Sequence, residues 1–121
     1  MAFGETTLGD AALVKADGRI DMANAEAFRE SLDSALATAK SAMIVDMEGV
    51  DYISSAGLRA LMIAFRASKA AGKGFGVAAL TPLVLEIFTI SRFNLVFPLY
   101  GSVREALQAL APDGRGAVEA S

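Results

Sequence analysis

The sequence contains no histidine and no cysteine among its 121 residues. Without histidine a Ser-His-Asp triad is impossible, and the commonest general base and the commonest metal ligand are both missing. Without cysteine neither a disulfide nor a thiolate metal site can form. The chain therefore lacks the side chains most often used in acid–base catalysis and metal binding. We predict no catalytic residues, no metal and no cofactor.

Basic residues are also too few for a nucleic-acid-binding surface. The chain has 11 Lys and Arg against 14 Asp and Glu, a net charge of −3, so no basic stripe is available to neutralise phosphates. No apolar run approaches the roughly 20 residues of a membrane span. The first residues, MAFGETTLGD, lack the basic and apolar regions of a signal peptide. We therefore expect a cytoplasmic protein that neither enters a membrane nor binds nucleic acid directly.

The patterns of apolar residues predict one α/β domain over residues 1–110. A content of 54% hydrophobic and 21% charged residues is typical of a globular chain. The predicted order is ββαβαβαβα, with strands at residues 6–8, 11–16 (continuing through 19–20), 42–47, 75–80 and 95–99. Helices are predicted to begin near Asn24, Ser54/Ser55, Thr81 and Ser102, each a helix-capping residue type. Helical crossovers imply a mostly parallel sheet with the helices packed against it. Residues 111–121 are small and polar and are predicted to be a flexible tail.

The segment of residues 43–61, MIVDMEGVDYISSAGLRAL, is the most informative part of the chain. It predicts a buried strand, a polar turn through Asp46 and Asp51, and then a helix. The helix is indicated by an apolar stripe that recurs at helical spacing: Leu58, Leu61, Met62 and Phe65.

Two hydroxyl groups, Ser54 and Ser55, lie where this turn meets the helix. A serine at a helix start can cap free backbone N–H groups. The same N–H groups and the helix dipole would also favour a phosphate. The residues alone leave both interpretations of Ser55 open, and capping is the more common role.

The order of elements and the motif around Ser55 resemble the STAS domain of bacterial anti-sigma-factor antagonists. The resemblance covers approximately residues 6–110, and its most specific part is VDM…DYISSAGL, with GRID at residues 18–21 in support. The family turn reads approximately D-[ST]-[STA]-G-L, and its first hydroxyl after the aspartate is phosphorylated. Carried over to this chain, that hydroxyl is Ser55, while the family aspartate is replaced by Ser54. Asp21 or Asp51 would then have to supply any nearby carboxylate.

The resemblance implies a regulatory partner and not an enzyme. Unphosphorylated members bind an anti-sigma factor, usually a serine kinase of the histidine-kinase-like ATPase fold. Phosphorylation by that kinase releases them, and a metal-dependent serine phosphatase resets them. We expect the partner-binding surface to combine the turn of residues 21–24, the Ser55 junction and the outer face of the following helix. Its predicted residues are Asp21, Asn24, Asp51, Ser54, Ser55, Ala56, Gly57, Arg59 and Ile63.

Two other classes of function remain open from the sequence. The chain could be a STAS scaffold subunit of a lipid-transport or sensor complex that is not phosphorylated. It could also be a nucleotide-binding module, which is the weakest alternative because neither a G-x-x-x-x-G-K-[ST] loop nor a G-x-G-x-x-G turn is present. A hydroxyl at position 55 favours the antagonist, since a scaffold does not need one there.

Overall fold

The computed structural model describes residues 3–110, in which the elements follow the predicted order ββαβαβαβα. The strands are β1 (Phe3–Leu8), β2 (Ala11–Ile20), β3 (Ala42–Ile53), β4 (Gly74–Ala78) and β5 (Leu99–Tyr100). The helices are α1 (Ala25–Thr38), α2 (Ser55–Ala70), α3 (Pro82–Ile90) and α4 (Val103–Leu110), with a 3₁₀ turn at Phe93–Leu95. The predicted tail, residues 111–121, lies outside the described residues.

The strands form one mixed sheet in the order β1-β2-β3-β4-β5. β1 pairs with β2 in the antiparallel sense, as a hairpin requires, and the other neighbouring strands are parallel. The predicted mostly parallel sheet is thus confirmed. Because parallel strands end at the same edge, the turns that follow β2 and β3 are brought side by side.

The core lies on both faces of the sheet, and the side chains of β3 alternate between them. Met43, Val45 and Met47 face the larger cluster, which also holds buried residues of α1, α2 and α3. Ala42 and Ile44 face a smaller cluster with Ala106 and Leu107 of α4. This alternation is the period of two that a strand imposes on its side chains. The near-continuous apolar run from Ala42 to Met47 follows because both faces are covered.

The predicted end of β3 at Met47 is wrong, because the strand continues to Ile53. Asp46, Glu48 and Asp51 therefore belong to β3 and not to a turn. The pairing with β2 shifts register between Lys15 and Asp17 and again between Gly18 and Arg19. These bulges accommodate the polar residues without ending the strand.

The predicted strand at residues 95–99 is also wrong. The chain turns at Arg92, whose φ of 63° is left-handed, into the 3₁₀ turn, and β5 contains only Leu99 and Tyr100. Phe97 is buried against several other phenylalanine rings, whereas Leu95 is 76% exposed. An apolar run of this length does not distinguish a strand from a buried turn, because it has no periodicity of its own.

The ends of α2 are well defined, so its length is fixed by local chemistry. Gly72 has a φ of +72°, its N–H donates to the Lys69 carbonyl, and the Lys73 N–H donates to the Ser68 carbonyl. This is the Schellman arrangement that ends a helix at glycine. At 16 residues, α2 is the longest helix between residues 3 and 110, and no helix in that range is long and apolar enough to cross a membrane.

Candidate functional site

The junction between β3 and α2 holds Ser54 and Ser55 in different roles. The Ser54 backbone N–H donates to the Ile20 carbonyl at 2.8 Å, which ties the junction to the end of β2. The Ser54 hydroxyl oxygen accepts a hydrogen bond from the Gly57 N–H at 3.3 Å, so Ser54 is the N-cap. Ser55 is the first helical residue and its side chain is exposed. Capping therefore does not account for the Ser55 hydroxyl.

Gly57 allows the first turn of α2 to approach the sheet closely. A Cβ atom at this position would lie 2.7 Å from Cγ1 of Ile53 and 2.8 Å from Cγ2 of Ile20, both closer than carbon atoms can approach. Both isoleucines are buried at the ends of their strands. Because Gly57 is itself buried, it supports the Ser55 surface from beneath by fixing the position of the helix.

The turn after β2 is closed by its own side chains. The Asp21 carboxylate accepts hydrogen bonds from the N–H groups of Ala23 and Asn24, at 3.0 and 3.3 Å. The Asn24 side chain accepts from the Asp21 N–H at 2.8 Å and donates to the Arg19 carbonyl at 2.7 Å. Asn24 thus precedes α1, as predicted, but its side chain holds the turn and does not cap the helix.

A cavity of about 310 Å³ opens where this turn meets the start of α2. Its lining residues come from both segments: Met22, Ser54, Ser55, Ala56 and Arg59. Met22 is 83% exposed, an unusual position for a long apolar side chain. Ser55 therefore lies in a concave surface, with an apolar side chain from the neighbouring turn and a cation from its own helix.

A second cavity of about 310 Å³ lies between α1 and α2 and shares Ala56 and Arg59 with the first. Glu26, Arg29 and Ile63 also line it. Nη2 of Arg29 donates to Oε1 of Glu26 at 3.1 Å, and this hydrogen bond and the Glu26 charge raise the pKa of Arg29. Ile63 is 40% exposed, as its position off the apolar stripe of α2 predicted. The two cavities form a continuous surface along one side of α2.

Not every predicted partner-binding residue lies in these cavities. Asp51 is exposed on β3 and lines neither of them. Asp21 and Asn24 also line neither, although their hydrogen bonds fix the turn that carries Met22. The participation of the nine predicted residues in partner binding stays a prediction. Their positions divide them into residues that line the cavities, residues that hold the turn, the separate Asp51, and Gly57, which is buried against Ile20 and Ile53 and lines neither cavity.

Sequence reasoning missed Met22, Glu26 and Arg29. Met22 could have been noticed as an apolar residue within a polar turn. Glu26 and Arg29, three residues apart on α1, could have been recognised as a helical ion pair. Their proximity to Arg59 and Ile63 could not, because it depends on how α1 packs against α2.

The chemistry open to this surface is narrow. The Ser55 hydroxyl has no imidazole to activate it, since the chain contains no histidine. Within residues 3–110 no group of three or more acidic side chains is placed to hold a metal ion. An exposed hydroxyl of this kind can accept a phosphoryl group that another protein delivers. A concave surface with exposed Met22 and Ile63 can bind a partner protein.

Comparisons with known proteins agree with this geometry. The family model of the STAS domain matches residues 5–106. The chain is 34% identical over 92 residues to BtrV of Bordetella bronchiseptica, a protein named as an anti-sigma factor antagonist, and the match covers 76% of this chain and 78% of BtrV. An anti-sigma factor antagonist from Mycobacterium paratuberculosis superposes with a TM-score of 0.82 at 26% identity, covering 90% of this chain and 92% of that one.

The fold is also that of SpoIIAA, an anti-sigma factor antagonist. Its unphosphorylated form superposes with a TM-score of 0.75 at 17% identity, covering 89% of this chain and 95% of SpoIIAA. The phosphorylated form from Bacillus superposes with a TM-score of 0.68, covering 89% and 98%. The match of the family model and the 34% identity to BtrV establish the relationship that the motif around Ser55 predicted. The chain belongs to the STAS domain family and, within it, to the anti-sigma factor antagonists.

Proposed function

We propose that this chain is a phosphorylation-controlled partner switch that binds an anti-sigma factor through the surface around Ser55. The observation that carries the proposal is the exposure of Ser55, at the family's phosphoacceptor position, while Ser54 satisfies the cap of α2. In the unphosphorylated state the surface binds the anti-sigma factor and so frees a sigma factor. Phosphorylation of Ser55 ends that binding.

The folded chain can accommodate a phosphate on Ser55. The side chain is exposed, so the phosphate meets solvent and not the core. It also stands at the amino end of α2, where the helix dipole favours negative charge. We therefore expect the fold and its stability to survive phosphorylation.

The same phosphate is unfavourable when a partner covers it. It carries nearly two negative charges at neutral pH and would lose its hydration in an interface. A specific interface needs about 800 Å² on each partner, so the partner must cover more than the junction alone. A loss of about 3 kcal/mol of binding free energy weakens affinity more than a hundredfold.

The partners are proposed from the family resemblance. The anti-sigma factor is a serine kinase of the histidine-kinase-like ATPase fold, and a metal-dependent serine phosphatase removes the phosphate. In this scheme the chain is a substrate and a binding partner and has no enzymatic activity of its own.

A phosphorylation assay tests the proposal. Serine kinases of this fold encoded in the same genome are incubated with ATP and with the parent chain, Ser55→Ala or Ser54→Ala, and the products are mapped by mass spectrometry. We expect one phosphate, on Ser55, in the parent and in Ser54→Ala, and none in Ser55→Ala. A phosphate on Ser54 with Ser55 unmodified would show that the residue assignment is wrong.

A charge substitution separates the switch from a permanent scaffold. Ser55→Asp should bind the kinase more weakly than the parent while its melting temperature changes by no more than a few degrees, because a carboxylate is favourable at a helix start. Ser55→Ala should bind the kinase with the affinity of the parent, and it should stay bound when ATP is added because it cannot be phosphorylated at position 55. Equal affinity of Ser55→Asp and the parent would instead favour a scaffold subunit that position 55 does not control.

A further inference from the structure

Arg59 connects the two cavities on this side of α2. It lines the first cavity with Ser55, where it is the single charged side chain among the five lining residues. It also lines the second cavity, in which the Glu26 carboxylate already pairs with Arg29 at 3.1 Å. No ion pair between described residues involves Arg59. Its guanidinium therefore has two possible directions, toward Ser55 or toward a molecule that covers the second cavity.

The spacing of Ser55 and Arg59 suits an ion pair on the helix surface. Residues four apart on an α-helix lie on the same face, and an acidic group on the amino side of a basic one is the more favourable orientation. Ser55 with a phosphate and Arg59 follow that order. The planar guanidinium also presents two parallel N–H groups, which match two oxygens of a phosphate.

Other groups at the helix start are compatible with this pair. The Ser54 hydroxyl satisfies the Gly57 N–H, which leaves the N–H groups of Ser55 and Ala56 without an acceptor among the described residues. The Asp21 carboxylate, on the adjoining turn, is engaged by the N–H groups of Ala23 and Asn24. No acidic residue lines the cavity.

We infer that Arg59 binds the phosphate of phosphorylated Ser55 within the same chain and is thereby withdrawn from the partner surface. This inference rests on the proposed function, because it requires a phosphate on Ser55. Without the phosphate, the guanidinium is free to meet a carboxylate of the partner across the second cavity. Phosphorylation then acts twice, since it adds negative charge at Ser55 and removes a positive contact at Arg59.

The test measures the phosphate directly. Phosphoserine is incorporated at position 55 during translation with an expanded genetic code. The ³¹P chemical shift of its phosphate is recorded by NMR as the pH is raised, and the titration curve gives the second pKa. The parent is compared with Arg59→Gln, Arg59→Lys and Arg66→Gln. Arg66 is a matched control because it is an exposed arginine on the same helix that lies roughly 16 Å from Ser55, at about 1.5 Å per residue. Circular dichroism confirms that each variant is folded.

We expect the second pKa of the phosphate to be higher in Arg59→Gln than in the parent, by about 0.3 for an exposed pair at this spacing. Arg59→Lys should lie between the two, and Arg66→Gln should match the parent. One pKa shared by the parent and Arg59→Gln would overturn the inference, as would equal increases in Arg59→Gln and Arg66→Gln. No kinase is used in this experiment, so its outcome does not depend on the phosphorylation assay. A failure of the phosphorylation assay would overturn the proposed function, whereas a failure of the NMR experiment would overturn only the inference about Arg59.

Discussion

Replacing Ser54 with alanine removes the oxygen that accepts a hydrogen bond from the Gly57 N–H at the start of α2. Replacing Ser55 with alanine removes a hydroxyl for which the structure gives no such role. The adjacent substitutions should therefore differ in their effect on stability, although both delete one hydroxyl from the same turn. We expect Ser54→Ala to destabilise the domain and Ser55→Ala to leave its stability nearly unchanged.

The size of the difference follows from the cost of losing a helix cap. Truncation of a capping serine costs about 1 kcal/mol, and the 3.3 Å bond at Ser54 suggests no more than that. The entropy of unfolding is about 2.1 cal/mol/K per residue, or about 0.23 kcal/mol/K for a domain of about 110 residues. A loss of about 1 kcal/mol then lowers the melting temperature by about 4 °C. Ser55→Ala, an exposed substitution, should stay within about 0.5 kcal/mol of the parent.

The assay is thermal and urea denaturation of the parent, Ser54→Ala and Ser55→Ala, followed by circular dichroism. Ser102→Ala is a positive control, because the Ser102 hydroxyl accepts from the Glu105 N–H at 3.1 Å in the same capping geometry. Equal destabilisation by Ser54→Ala and Ser55→Ala would refute the division of roles between the two serines. So would an unchanged Ser54→Ala in an experiment where Ser102→Ala loses stability.

Two further predictions concern the support and the outer face of α2. Gly57→Ala should lower the free energy of unfolding in urea by about 1–3 kcal/mol, because the added Cβ would overlap Ile53 and Ile20. Gly4→Ala is its control and should be near neutral, because a Cβ there would have no atom within 4 Å. Equal effects of the two substitutions would contradict the close packing at Gly57. Ile63→Glu should weaken binding to the anti-sigma factor about tenfold or more in calorimetry while the chain stays folded, since burying this side chain in an interface is worth about 1.5–3 kcal/mol. Ile90→Glu, at an exposed position on α3, is its control, and unchanged affinity of folded Ile63→Glu would place the interface elsewhere.

The sequence carried enough information to predict the element order and the position of the Ser55 junction. The apolar stripe of α2 identified Leu58 and Leu61 as buried and Ile63 as exposed, as the structure confirms. The end of α2 at Gly72 is likewise a local feature, because that position needs a positive φ, which glycine tolerates. These features depend on local chemistry that a few neighbouring residues determine.

The features that the sequence did not predict depend on residues distant in the chain. Glu48 and Gly49 are residue types that are common in turns, yet they remain in β3 because the bulged pairing with β2 continues past them. Arg59 gains its position between two cavities from the packing of α1 against α2. In each case the tertiary structure determines which of the roles allowed by the residue type is adopted.

The way in which Ser55 is held bears on how a phosphate there would act. The Ser54 N–H anchors the junction to the end of β2, the Ser54 hydroxyl caps α2, and Gly57 packs the first helical turn on Ile20 and Ile53. These three contacts lie beneath or behind the Ser55 side chain and do not involve its hydroxyl. A phosphate on Ser55 therefore has no buried contact to break and no internal element to displace. Under the proposed function, the partner therefore recognises phosphorylation through the altered charge of the surface, at Ser55 and at Arg59, and not through a rearrangement of the backbone.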